Sequence, residues 1–408
     1  MSYSAPIFRS NVAHKPIPQI PVGDAPLSVP FFRPSIGEGE VSAVVESLRS
    51  GWLTTGPQTA RFEADFRTLL GGDVYAIAVN SATAALHLGL EALGVRAGDE
   101  VIVPTLTFTA TAEVVRYLGA TPIFVDMDPA TFCLDMDAVA EAITERTKVI
   151  MPVHFAGRAC DMTALRALAD AHGLRILDDA AHALPTRHQG HLIGSIEAGA
   201  DVTAFSFYAN KTMTTGEGGM LVTADDEMAA RVRKMRLHGI DRDVFDRFTN
   251  IRAGWAYDVV EAGYKYNMTD LAASIGRVQL KRIDDFHAAR KRIAALYDTA
   301  LSDLPLVLPP HAARGDEHSW HLYIVQLGED APVTRDQFIQ CLQESGVATS
   351  VHYRPLHQMT YWRPMARGRR FPAADAYFRN CVSLPMFMGM SAAEQSRVIE
   401  VVRGALGQ

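Results

Sequence analysis

Lys211, in the segment SFYANKTMTTGEGGM, is the residue with the clearest capacity for covalent chemistry. It lies in a short polar connection between the end of a predicted strand and a glycine-rich turn that leads into the next strand. A lysine in such a place, with no carboxylate at helical spacing, can act as a Schiff-base nucleophile. Most lysines are solvated surface residues, and this segment alone leaves both interpretations open. A nucleotide-binding P-loop is excluded, because its lysine follows the glycines and Lys211 precedes them.

Two carboxylates, Asp178 and Asp179, end an apolar run in the segment ILDDAAHA. Charges at the end of a buried strand are costly unless they meet an opposite charge. A pyridinium nitrogen would be a fitting partner for Asp179, while capping of a following helix is the alternative role. His182, three residues further on, could face the same cavity.

The segment NSATAALHLGLEAL places a group of small and polar residues between an apolar strand and an amphipathic helix. Backbone amides at a helix start attract phosphate, and the hydroxyls of Ser81 and Thr83 could add donors. These residues could also be no more than helix caps. Both interpretations stay open at this point.

These segments need a scaffold that brings strand ends together. From Tyr75 to about Arg236, short β-rich runs alternate with longer helical stretches such as DMTALRALADAHG. The runs are YAIAV, EVIVP, TPIFVD, KVIMPV and LRILDD. The alternation predicts an α/β fold with a mostly parallel sheet, helices on both faces and ligands beyond the carboxyl ends of the strands.

The sequence as a whole predicts an arm and two domains. Residues 1–30 are rich in proline and read as an N-terminal arm, 31–265 form the large domain, and 266–408 form a linking helix and a smaller α+β domain. The linking helix covers MTDLAASIGRVQLKRIDDFHAARKRIAALYDTAL. In the smaller domain WHLYIVQL and VATSVHY read as strands, and TRDQFIQCLQESG and SAAEQSRVIEVVRGAL as helices.

Composition favours a small-molecule partner. The 408 residues carry a net charge of −7 and no lysine or arginine block, so neither nucleic acid nor a membrane surface is expected as a partner. No signal-like or membrane-spanning stretch is found, and a cytoplasmic protein is expected. The four cysteines have no paired spacing, and His182, His188 and His191 match no common ligand pattern, so no metal is expected.

Seven segments, taken in chain order, resemble the DegT/DnrJ/EryC1/StrS aminotransferases over about residues 30 to 405. They are GWLTTGPQTARFE, NSATAALHL, PTLTFTATA, ILDDAAHA, SFYANKTMTTGEGGM, LHGI and GYKYNMTDLAASIGRVQL. The resemblance implies the fold of type I pyridoxal-phosphate transferases. It also implies pyridoxal 5'-phosphate (PLP) as cofactor.

The resemblance assigns roles by position. Lys211 would bind the cofactor as a Schiff base, Asp179 would pair with its ring nitrogen, His182 would lie near its phenolic oxygen and Phe108 would stack on its ring. Its phosphate would be held by Ser81, Ala82, Thr83 and Ser206, with Asn267 reaching across from the neighbouring subunit of a homodimer. Many family members have glycine where this chain has Ala82.

The activity implied is transfer of an amino group, with L-glutamate as donor and a nucleotide-linked keto sugar as acceptor. The segments GWLTTGP and MTTGEGG most resemble members acting on a 4-keto hexose carried on UDP or a similar nucleotide. Substrate contacts are expected from Thr54, Thr55, His352, Tyr353 and His357. For the last three, a loop between domains is the structural alternative.

Two alternative functions are considered. A sugar dehydratase of the same family would carry histidine in place of Lys211. A non-catalytic binding or regulatory protein would be expected to lose Lys211 or Asp179, and this chain has both.

Overall fold

A computed structural model describes residues 27–241, 257–366 and 368–407. Most of the predicted arm at residues 1–30 lies outside the described residues. The strands of the first half are β1 Tyr75–Val79, β2 Glu100–Pro104, β3 Thr121–Val125, β4 Thr147–Ile150, β5 Arg175–Asp179, β6 Arg187–His188, β7 His191–Leu192, β8 Val202–Ser206 and β9 Gly219–Thr223.

Seven of these strands form one sheet, in the order β1-β9-β8-β5-β4-β2-β3. All neighbours are parallel except that β9 runs antiparallel to both β1 and β8. The prediction of a mostly parallel sheet is confirmed. Strands β6 and β7 form a separate hairpin.

Helices cover both faces of this sheet. Alternate residues of a strand point to opposite faces, and in β1 Ile77 and Val79 enter one apolar core while Ala76 and Ala78 enter the other. The helices of this part are α1 Glu38–Ser50, α2 Pro57–Leu69, α3 Ala82–Ala92, α4 Ala110–Tyr117, α5 Met136–Ala142, α6 Met162–His172 and α7 Asp226–Met235. Because the strands are buried on both faces, nearly all of their residues are apolar. They could therefore be predicted from the sequence as short apolar runs.

The C-terminal part contains a smaller antiparallel sheet with its own core. The elements are α8 Asp270–Leu280, α9 Ile283–Leu301, β10 Leu306–Val307, β11 Tyr323–Leu327, α10 Arg335–Glu344, α11 Pro372–Asn380, β12 Cys381–Leu384 and α12 Ala392–Ala405. The sheet order is β10-β11-β12. Tyr297 of α9, Phe338 of α10 and Val398 of α12 pack together with residues of β11 and β12 in a third core.

Two predictions for this part are wrong in detail. The long linking helix is interrupted at Arg282, whose backbone leaves the helical region (φ −104°, ψ 5°) while its guanidinium binds Glu40 at 2.7 Å. The segment VATSVHY forms no strand; it meets β12 at the bridge between Ser350 and Ser383 and at His352, whose Nδ1 lies 2.8 Å from Ser383 Oγ. After this bridge the chain turns toward the cavity that Tyr353 lines.

No helix among residues 27–241, 257–366 and 368–407 combines the length and apolarity needed to cross a membrane.

Candidate active site

A cavity of about 510 Å³ lies where β5 and β8 end and α3 begins. This is the edge at which a parallel sheet with helices on both faces binds its ligands. Ten of the residues singled out from the sequence line this cavity. They are Ser81, Ala82, Thr83, Phe108, Asp179, His182, Ser206, Lys211, His352 and Tyr353.

Asp179 ends β5 and is 5% exposed. Its carboxylate accepts hydrogen bonds from Thr111 Oγ1 at 2.8 Å and from the Ala181 amide at 3.2 Å. Burial raises the pKa of Asp179 above its usual value, and these bonds with the charge of Lys211 only partly offset that effect. No helix follows Asp179, so it does not cap one. A positively charged group in the cavity would stabilise this carboxylate.

Lys211 is held by the loop between β8 and β9, where its amide donates to the Tyr208 carbonyl at 3.0 Å. Burial lowers the pKa of Lys211 to about 8, although the negative charge of Asp179 acts in the opposite direction. An appreciable fraction of its amine is therefore uncharged near neutral pH. An uncharged buried amine is the state that attacks a carbonyl.

His182 contacts two groups through its two ring nitrogens. Nδ1 lies 3.3 Å from the Ala156 amide nitrogen, and Nε2 lies 3.2 Å from the Tyr353 hydroxyl oxygen. The ring also packs on that of His321 at a centroid distance of 4.3 Å. Burial, with the charge of Lys211, lowers the pKa of His182 well below its usual value. The imidazole is therefore neutral.

The start of α3 and the ends of two strands form a possible anion site. Ser81 is the N-cap of α3, and its hydroxyl accepts the Ala84 amide at 3.1 Å, so the capping role is present. The first amides of a helix have no partner within it and can bind an anion. Ser206, at the end of β8, reaches the same cavity.

Two aromatic residues form one wall. The Phe108 side chain is 58% exposed, and its ring centroid lies 5.9 Å from that of Tyr353. An exposed ring face at a cavity can stack on a planar ligand. His352, beside Tyr353, lies with Nδ1 2.8 Å from Ser383 Oγ.

Four predicted residues do not line this cavity. Asn267 lies in a separate hollow, where its amide donates to Thr55 Oγ1 at 2.6 Å, and the Thr54 carbonyl accepts the amide of Asp270. His357 bridges Thr105 Oγ1 at 2.8 Å and Asp375 at 2.9 Å, joining its loop to the end of β2. None of these four residues lines the cavity that contains Lys211 in its own subunit.

Sequence reasoning missed three residues that shape the site. Thr107 and Thr111 lie 2.8 Å apart at their hydroxyls, and Thr111 also binds Asp179. Gly219 packs so tightly that a Cβ there would lie 2.5 Å from the Ser81 carbonyl carbon. The threonines stand in PTLTFTATA, but nothing in that segment indicates that Thr111, in α4, donates to Asp179 at the end of β5.

The residues of the cavity fit PLP. The Lys211 amine, whose pKa is lowered, suits an aldehyde, the buried carboxylate of Asp179 suits a protonated ring nitrogen, and the start of α3 suits a phosphate. Among the described residues, no group of histidine, cysteine, aspartate and glutamate side chains is arranged to hold a metal ion.

Comparisons with known proteins agree with a PLP site. The sequence profile of the DegT/DnrJ/EryC1/StrS aminotransferase family matches residues 34–403. Spore coat polysaccharide biosynthesis protein SpsC of Bacillus subtilis (strain 168) is 44% identical over 379 residues, covering 92% of this chain and 96% of SpsC.

Solved structures agree with this match. The putative sugar aminotransferase Spr1654 from Streptococcus pneumoniae, in its PMP form, is 38% identical with a TM-score of 0.85, over 92% of this chain and 98% of its own. The same protein has also been solved in a PLP form. The aminotransferase TlmJ from Streptoalloteichus hindustanus is 36% identical with a TM-score of 0.84, over 92% of this chain and 98% of its own.

Proposed function

The chain belongs to the DegT/DnrJ/EryC1/StrS family of PLP-dependent sugar aminotransferases, and we propose that it aminates a nucleotide-linked keto sugar with L-glutamate as donor. A 4-keto hexose carried on UDP is the first candidate acceptor. The observation that carries this proposal is the half-buried Lys211 in one cavity with the buried Asp179 carboxylate.

The roles proposed for the cavity residues follow from their positions. PLP, when bound, accepts the electron pair left when the α-proton of an amino acid departs. The Lys211 amine takes that proton and returns it at the other carbon. Asp179 would pair with the ring nitrogen of PLP, and Phe108 would stack on the ring. Ser81, Ala82, Thr83 and Ser206 would hold the phosphate.

A sugar suits the remaining polar groups of the cavity. Burial lowers the pKa of His352 to about 4 and raises the pKa of Tyr353, so both are uncharged at neutral pH. Lys211 is the only lysine or arginine among the described residues that line the cavity. Uncharged donors are suited to the hydroxyl and carbonyl oxygens of a sugar.

We further propose a homodimer with shared active sites. Asn267, with Thr54 and Thr55, lies outside the cavity of its own subunit, which is where a residue serving the neighbouring site would lie. The exposed side chains of Phe108 and Tyr208 at the cavity would be covered in such an assembly.

The dehydratase alternative is disfavoured by Lys211, which that branch replaces by histidine. A non-catalytic role is disfavoured because both Lys211 and Asp179 are present and line one cavity.

The direct test is product formation. Holoenzyme is incubated with ¹⁵N-labelled L-glutamate and either UDP- or dTDP-linked 4-keto-6-deoxyglucose, and the sugar nucleotide is analysed by mass spectrometry. We expect an amino sugar carrying ¹⁵N with the wild type and none with Lys211→Ala. If donor and PLP react but neither sugar is aminated, the proposed acceptor is wrong.

A further inference from the structure

The hydrogen bonds of His182 fix the position of its single ring proton. Nδ1 lies 3.3 Å from the backbone amide of Ala156, which can only donate, so Nδ1 must accept. Because the ring is buried and neutral, its proton is on Nε2. This tautomer follows from the partners of the ring.

The Tyr353 hydroxyl then has a defined direction. Nε2 of His182 lies 3.2 Å from the Tyr353 oxygen and, because it carries the proton, Nε2 donates and the oxygen accepts. The reverse arrangement would place a proton on Nδ1, directly against the Ala156 N–H. The Tyr353 hydroxyl hydrogen is thus left without a partner among the described residues, and the side chain lines the cavity.

We propose that Tyr353 donates this hydrogen in a hydrogen bond to the carbonyl oxygen of the sugar substrate, and that His182 is the positioning residue that directs it there. This inference rests on the proposed function. A donor on the carbonyl oxygen polarises the C=O bond for attack by an amine. The hydroxyl stays protonated, because burial raises the pKa of Tyr353.

We expect the acceptor to be a neutral oxygen rather than a carboxylate of the amino donor. Neither Tyr353 nor His182 carries charge, and the strong partners of carboxylates in proteins are cations. Tyr353 is therefore expected to serve the amination of the sugar and to contribute little to the reaction with glutamate. A loss of rate confined to the sugar half-reaction would indicate a contact with the sugar, whereas a general structural defect would slow both half-reactions.

The first experiment compares the half-reactions of holoenzyme by stopped-flow absorbance of the bound cofactor. Tyr353→Phe is expected to lower kcat/KM for UDP-linked 4-keto-6-deoxyglucose about 10- to 100-fold and to change the rate with L-glutamate by less than about twofold. Tyr361→Phe is the matched control, because Tyr361 is an exposed tyrosine of the same segment outside the cavity. Equal losses in both half-reactions would overturn the proposal.

Variants of His182 test the positioning role. Glutamine can accept the Ala156 amide through its oxygen and donate to Tyr353 through its nitrogen, so His182→Gln should keep the sugar half-reaction within about threefold. His182→Leu can do neither and should lose as much of that half-reaction as Tyr353→Phe. A leucine variant that aminates the sugar like the wild type would refute the role.

A second measurement does not depend on finding the substrate. Long-range ¹H–¹⁵N NMR of histidine-labelled protein, assigned with His182→Gln, reports which ring nitrogen carries the proton. We expect a neutral ring protonated at Nε2 between pH 6 and 9. A proton on Nδ1, or a charged ring at pH 7, would overturn the inference even if the sugar nucleotides tested are not substrates. Failure of those sugars with the expected tautomer would count against the proposed acceptor alone.

Discussion

Burial and hydrogen bonding shift the pKa of Asp179 in opposite directions. The effect of burial is the larger, since the pKa of Asp179 is raised even with Thr111 and Ala181 donating to it. Pairing with the ring nitrogen of PLP requires the ionised carboxylate. Cofactor binding should therefore weaken as the pH falls through the raised pKa of Asp179.

Replacing Thr111 by valine removes one of these donors with little change in shape. The pKa of Asp179 should rise further, so the loss of PLP affinity should begin at a higher pH than in the wild type. Hydrogen bonds to charged groups contribute about 1.5–3 kcal/mol, so we expect PLP to bind the valine variant at least about tenfold more weakly at a pH below the pKa of Asp179 in both proteins. Fluorescence titration from pH 5.5 to 8.5 measures this, with Thr111→Ser as the variant that restores binding. Identical affinities for valine and threonine across that range would contradict the account.

The lowered pKa of Lys211 predicts the pH dependence of its reaction with PLP. The apoprotein should react about tenfold faster per pH unit below pH 8 and level off above it, because the free amine is then the main form. Borohydride reduction and peptide mapping should place the pyridoxyl group on Lys211. A rate that still climbs steeply beyond pH 9.5 would mean that burial does not lower the pKa of this lysine.

At the scale of elements, the site depends on how closely β9 approaches the start of α3. Gly219 pairs with Val79 and Ser206, and the missing side chain lets Ser81 pack directly above it. Gly219→Ala would force the start of α3 away from the sheet, with an overpacking cost of about 1–3 kcal/mol. We therefore expect weaker PLP binding, by about tenfold or more, and a lower melting temperature.

The control for that variant is Gly404→Ala in α12, where an added Cβ meets nothing within 4 Å. It should leave PLP affinity unchanged and slightly raise the melting temperature, because alanine favours a helix more than glycine does. If Gly219→Ala binds PLP as tightly as Gly404→Ala, the close approach at Gly219 is not needed for the site.

The sequence allowed most of the large sheet to be predicted, because its buried strands are short apolar runs between helical segments. It also identified the residues at the strand ends, including Asp179 and Ser206. VATSVHY was mistaken for a strand because its composition suits one, whereas in the described part of the chain it forms two isolated bridges, from Val347 to Val29 and from Ser350 to Ser383. Contacts such as that of Thr111 with Asp179, 68 residues apart, depend on packing that no local pattern encodes.

At the scale of the whole molecule, the catalytic cavity and the hollow that contains Asn267 are two separate openings, and Glu217 lines both of them. The division into an arm, a large domain ending at 265 and a smaller domain from 266 stays a prediction, which limited proteolysis of the holoenzyme can test. The family identity rests on a match along most of the chain, whereas the sugar depends on a few cavity residues.

Shared active sites predict complementation between inactive subunits. Lys211→Ala and Asn267→Ala each impair a different half of the composite site, so a hybrid dimer contains one site with neither substitution. After unfolding and refolding as an equal mixture, the two variants should show activity well above the sum of each refolded alone. Activity equal to that sum would mean that Asn267 serves only its own subunit.

The visible spectrum of the purified protein with PLP, before and after L-glutamate is added, shows whether Lys211 binds a cofactor that takes up an amino group. We expect a yellow band of bound cofactor that glutamate bleaches in the wild type, and neither that band nor the bleaching in Lys211→Ala, whose fold should be intact. A protein that binds no PLP, or a Lys211→Ala variant with the same band and the same response, would contradict this expectation.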